Sequence, residues 1–198
     1  TCIRYAPIPV ENAMGPSWVD PRSGEILNAS VFVYHNIVNL IYTWRMLQTA
    51  AVDPSVRRIT LPEEVMGDAI RYVVRHEIGH CLGLMHNMAS SNAFPTDSVR
   101  SASFTRKYGT TPSIMDYARF NYVAQPGDLE KGVKLTPPIL GQYDYYAIKW
   151  IYKPIPEAQS AEEESPILDR WISEKAGDPV YRYGKQQIMS RYDPSSLE

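Results

Sequence analysis

The residues best suited to chemistry lie in one window, His76-Glu77-Ile78-Gly79-His80-Cys81-Leu82-Gly83-Leu84-Met85-His86. His76 and His80 are four positions apart. At 3.6 residues per turn they differ by about 40° and about 6 Å along a helix axis, which stacks two imidazoles on one face within reach of one metal ion. Continued helix would carry His86 about 240° round and about 9 Å further on, away from both. Gly83 resolves this, because glycine can take the left-handed conformation that ends a helix and lets the chain turn back. Three neutral imidazoles leave a fourth position open, as a catalytic zinc site requires. The chain has 4 histidines and three fall in this window, so scattered core or surface histidines explain the pattern poorly. Glu77 sits beside His76 on the rim of the metal face, where a carboxylate can take a proton from water at the ion as general base.

This eleven-residue pattern resembles the long zinc-binding motif of the metzincin metallopeptidases. That clan also has a methionine in a tight turn beneath the zinc, and Ser113-Ile114-Met115-Asp116-Tyr117 matches it. Ser-Ile-Met-x-Tyr is similar to the astacins and Met-Asp-Tyr to the pappalysins. The stretches from Gly15 to Ile26 and from Tyr108 to Tyr117 resemble more closely a family of large zinc metalloproteases from Bacteroides-like bacteria. The resemblance covers residues 1 to about 153 and implies a zinc endopeptidase holding one catalytic Zn2+. It implies that Met115 packs beneath the site. It also implies that Tyr117 can ligate the zinc and then stabilise the transition state, a role a phenol can fill by donating to a developing oxyanion. A peptide or protein substrate, a secreted, periplasmic or cell-surface address and further domains of a longer parent chain are implied as well. Metzincins usually have two more strands and a helix ahead of the point where this chain opens, so a catalytic domain lacking its first strands is expected.

The elements that must position these groups follow from periodicity. Residues from Cys2 to Pro9 read as a strand. Ala13 to Val19 reads as an edge strand, because Pro16 cannot donate to a ladder. Turn chemistry at Asp20-Pro21-Arg22-Ser23-Gly24 joins it to an alternating strand from Ile26 to Tyr34, with Leu27, Ala29, Val31 and Val33 on one face. An extended substrate would add beside Ala13 to Val19 through main-chain bonds, which makes Gly15, Ser17 and Trp18 the candidate substrate contacts. Ile37, Leu40, Ile41, Trp44, Leu47 and Ala51 have helical spacing. A capping box at Thr60-Leu61-Pro62-Glu63 starts the active-site helix, which runs to about Leu82. Residues 87–112 read as a long loop. A third helix is expected from about Pro138 to Tyr152. The fold expected is α+β and metzincin-like, with a small mixed sheet packed on the active-site helix.

We expect a catalytic domain over 1–153, a linker or strap over 154–166 and a C-terminal extension over 167–198. The chain has 198 residues, with 20 Lys plus Arg against 22 Asp plus Glu, a net charge of −2. Near neutrality and without a basic run, it has no electrostatic footprint for nucleic acid. No apolar stretch approaches the roughly 20 residues needed to span a bilayer. Cys2 and Cys81 cannot form a disulfide framework. Cys81 points about 100° away from His80 and is expected to pack, and His35 has no motif partner and is expected to be structural. Two other functions share the ligand set: a zinc hydrolase of a non-peptide amide or ester, and a catalytically silent zinc-containing binding module.

Overall fold

A computed structural model describes residues 1–186. The sheet is built on β4 (Ile26–Tyr34). β1 (Cys2–Ala6) pairs parallel to it on one side. β2 (Ala13–Met14) and β3 (Ser17–Val19) pair antiparallel to it on the other. Ala13 faces Val33 and Ser17 faces Ala29, so β2 and β3 are one edge strand in a single register, interrupted at Gly15-Pro16. The proline explains the interruption, since its nitrogen cannot join the ladder. The edge strand and hairpin read from the sequence are therefore present, in a mixed α+β fold. Ala29 and Val31 are buried as expected, but Leu27 is 64% exposed. A register shift between Trp18 and Val19 breaks the alternation at that end of the strand.

Helix α1 (Ile37–Thr49) buries Ile37 and Ile41 against Ala69 of α2 (Glu63–Cys81). Ile78 and Cys81 on another face of α2 pack on Ala29 and Val31 of the sheet. The active-site helix is thus held between sheet and α1. A buried ion pair, Arg45 to Asp53 at 3.0 Å, ties α1 to the turn that follows it. The expected capping box is not formed: α2 starts at Glu63 with Pro62 as its cap residue and no side-chain cap bond. Glu63 and Glu64 in the first turn supply the favourable charge instead.

Residues 87–112 are not one loop. They form a 3-10 turn (Met88–Asn92), α3 (Thr96–Val99) and α4 (Ala102–Tyr108), the last capped by Ser101 accepting from the Phe104 N–H. Helix α5 (Gln142–Tyr152) begins later than expected, with Gly141 as its cap residue. The strap expected over 154–166 is helical from Ala161, in α6 (Ala161–Ser173), despite Pro166 inside it. Ser160 caps α6, and Glu162, Glu163 and Glu164 complement its N-terminus. Residues 187–198, the end of the expected extension, lie outside the described residues. No described helix is long and apolar enough to cross a membrane.

Candidate metal centre

Helix α2 ends as the sequence requires. Gly83 has φ +84°, its N–H donates to the His80 carbonyl, and the Leu84 N–H reaches the Gly79 carbonyl at 3.0 Å. This paired arrangement reverses the chain within one residue of glycine and brings His86 back over His76 and His80. The His86 Nε2 atom lies 3.2 Å from Nε2 of His76 and 3.0 Å from Nε2 of His80.

Each ring is held from its other nitrogen. Nδ1 of His76 meets the Ile114 carbonyl at 2.6 Å, Nδ1 of His80 the Leu84 carbonyl at 2.9 Å, and Nδ1 of His86 the Gln186 side-chain oxygen at 2.5 Å. All three partners are acceptors, so each Nδ1 carries the proton and each Nε2 presents a lone pair to the same point. Tetrahedral Zn–N bonds of about 2.0–2.1 Å set imidazole nitrogens about 3.3 Å apart, close to the two spacings from His86, and all three donor atoms lie within 4.8 Å of one another, so the donor set fits zinc. Burial first, then the neighbouring imidazoles, pushes His76 down to about 4, against the raising effect of its bond to Ile114. His80 is lowered by the same main cause. Both imidazoles are therefore neutral at neutral pH, the form that can ligate a metal.

Glu77 is buried at the rim, and burial pushes its carboxyl up to about 7 while the Gly15 main-chain N–H holds it partly back. The edge strand presses directly on the helix here: a Cβ at Gly15 would lie 2.1 Å from the Glu77 main-chain oxygen. Tyr117 stands on the open side, its ring centroid 4.6 Å from that of His86 and 5.6 Å from that of His76. Met115 is 1% exposed and packs with Leu84, Ile114 and Ala147 beneath the histidines. Its sulfur occupies the space a Cβ on Gly79 would need. Asp144 fixes the methionine turn by accepting from the Ser113 hydroxyl and from the main-chain N–H groups of Ile114 and Gly141.

A family model described as Met-zincin matches residues 58–198. The chain belongs to the Met-zincin family. No curated protein and no solved structure matches it. The matched span includes the three histidines, Glu77, the methionine turn and the residues after it.

In this Met-zincin the three histidines form the only such group of possible metal ligands among the described residues. They open on a cleft of about 530 Å3 that is also lined by Glu77, Tyr117 and Ile37, Leu40 and Trp44 of α1. Of the candidate substrate contacts, Gly15 lines this cleft and spends its N–H on Glu77. Ser17 and Trp18 do not line it. Cys81 is buried among Ala29, Val31 and Ile78, and His35 meets the Tyr5 hydroxyl at 2.5 Å, both away from the ligand set.

Sequence reasoning missed Gln186, Asn87 and Arg119. Asn87, fully buried, receives the Gly184 N–H, donates to the Arg182 carbonyl, and gives its own N–H to the Met115 carbonyl. It thereby joins the ligand loop, the methionine turn and the C-terminal segment that delivers Gln186 to His86. Gln186 lies 100 positions from its partner, and nothing local in the sequence signals it.

Proposed function

We propose that this Met-zincin is a zinc-dependent endopeptidase. The reading rests above all on one observation: three Nδ1-protonated imidazoles aim their Nε2 lone pairs at one point, beside a buried carboxylate, in a cleft bordered by an edge strand. Zinc bound there would supply a Lewis acid that makes an attacking water easier to deprotonate near neutral pH. His76, His80 and His86 would hold the ion, with Ile114, Leu84 and Gln186 fixing their tautomers. Glu77 takes the proton of the attacking water and passes it to the leaving amine. Gly15 orients that carboxylate through its N–H. Tyr117 donates its hydroxyl to the carbonyl oxygen as that oxygen gains charge. The edge formed by β2 and β3 offers main-chain groups to an extended peptide running antiparallel to it. A secreted, periplasmic or cell-surface address and further domains in a parent chain belong to the same proposal, supported by the resemblance to large bacterial metalloproteases.

The test is digestion of a proteome-derived peptide library by the zinc-loaded protein, with and without a chelator. New peptide termini are expected, and they should vanish with the chelator. Glu77→Gln should keep its zinc while kcat falls by about 10²–10⁴. Tyr117→Phe should lose about 10²–10³ in kcat with little change in KM. Cleavage of small esters or amides without any cleavage of peptides would replace the endopeptidase by a non-peptide hydrolase. Absence of all turnover sensitive to Glu77→Gln would leave a zinc-containing binding module.

A further inference from the structure

Helix α1 brings Ile37, Leu40 and Trp44 to the cleft at helical spacing. With Val73, one turn before His76 on α2, they add an apolar wall to the cleft that the histidines line. The apolar wall suits a large aliphatic or aromatic side chain. One cation stands against it. The Arg119 guanidinium lies over the Trp44 ring at 4.7 Å and lines the same cleft. No ion pair among the described residues includes Arg119.

The backbone is arranged to put it there. Arg119 has φ +50°, the only positive φ at a non-glycine among the described residues. That conformation costs about 1–2 kcal/mol for an L-residue and persists only where the surroundings dictate it. They do so on both sides. Upstream, the Tyr72 hydroxyl donates to the Asp116 carbonyl at 2.8 Å. Downstream, the Phe120 N–H donates to the Gln48 side chain of α1 at 3.0 Å, and the Phe120 ring is buried in the core. Arg119 sits in the short segment between these anchors, and its guanidinium lines the cleft. Packing on Trp44 alone would explain the stacking, but it leaves the donors of the planar fork available for a carboxylate, the group that fork matches best.

We infer that Arg119 and the α1 wall select substrates in which a large apolar side chain adjoins a carboxylate, Trp44 contacting the first and carrying the guanidinium that binds the second. The inference rests on the peptidase reading for its kinetic arm, and a binding arm makes it independent of turnover. The carboxylate has two sources, an acidic side chain or the C-terminus of a peptide.

The experiment uses matched peptides with a Leu or Phe anchor flanked by Asp or Glu, by Asn or Gln, or by Lys, each made with a free and an amidated C-terminus. kcat/KM is measured with the zinc-loaded wild type, and equilibrium binding with zinc-loaded Glu77→Gln protein. Acidic peptides should be preferred by about 10- to 100-fold, the worth of a charge-assisted hydrogen bond. Arg119→Gln should bring that ratio close to 1, Arg119→Lys should retain part of it, and Arg119→Glu should invert it toward Lys-flanked peptides. A preference that follows only the free C-terminus would assign the guanidinium to chain ends. Wild-type protein that treats acidic and neutral peptides alike, in both cleavage and binding, would overturn the inference. Binding preference without cleavage would instead uphold it and remove the peptidase reading.

Discussion

Replacement of Gly15 by alanine tests whether the edge strand holds the Glu77 carboxylate in place. The added Cβ would sit 2.1 Å from the Glu77 main-chain oxygen, 2.8 Å from its carbonyl carbon and 3.0 Å from its Cα. All three are main-chain atoms of a helix, so no side-chain rotation relieves the overlap. Restoring ordinary contact near 3.5 Å requires strand and helix to part by about 1.4 Å. Overpacking of this kind costs about 1–3 kcal/mol, against about 0.4–1 kcal/mol regained from the less flexible unfolded chain. The overlap wins, and the melting temperature should drop by roughly 2–10 °C for a domain of this size. The Gly15 N–H is drawn away from Glu77, and a displacement of about 1 Å at a reacting group can cost about 10²-fold in rate. Thermal melts, zinc content and kcat/KM on a cleaved peptide should be compared with Ser17→Ala on the same edge. Zinc should stay at one per chain. Unchanged melting and unchanged kcat/KM in Gly15→Ala, or an equal loss in Ser17→Ala, would refute the argument.

Gln186→Ala removes the acceptor that fixes the His86 tautomer and should weaken zinc binding about 10- to 100-fold in chelator competition; unchanged affinity would mean the contact is incidental. Asp116 is 1% exposed, and burial raises its carboxyl from an ordinary 3.8 to about 6, against the bonds from Ser91 and Thr111. A raised folded-state value costs stability that is fully felt above about pH 6 and vanishes below about 3.8, so Asp116→Asn should gain on wild type by up to about 3 kcal/mol between pH 4 and pH 7.5. Denaturant unfolding in chelator at the two pH values measures that difference, and a pH-independent offset would contradict it.

The histidine cluster was legible in the sequence because its geometry is local. Two histidines on one helix face and a glycine that ends the helix need no distant partner, and Gly83 does what its position implies. The same holds for the edge strand, whose proline marks the break between β2 and β3. What holds the ligands was not legible, because the Ile114 carbonyl and Gln186 reach His76 and His86 from 38 and 100 positions away. The short helices between 87 and 112 escaped because four to seven residues are too few to show a period. They are held by caps such as Ser101 and by ring packing of Phe94 on Phe104 at 4.9 Å. Helix α6 escaped for another reason: its acidic first turn and Pro166 read as a solvated strap, whereas the charges complement the helix start and Ser160 caps it. The role of α1 was hidden too. Its spacing gave a helix, but only the fold shows that its Trp44 faces the cleft beneath Arg119.

The central claim is that His76, His80 and His86 together hold one zinc ion through Nε2. X-ray absorption at the zinc edge, on protein loaded with one equivalent, measures this directly. The account predicts three imidazole nitrogens at about 2.0–2.1 Å with no sulfur in the shell, falling to two in His80→Ala protein. A zinc–sulfur distance near 2.3 Å, implicating Cys81, or a shell unchanged in His80→Ala would contradict it.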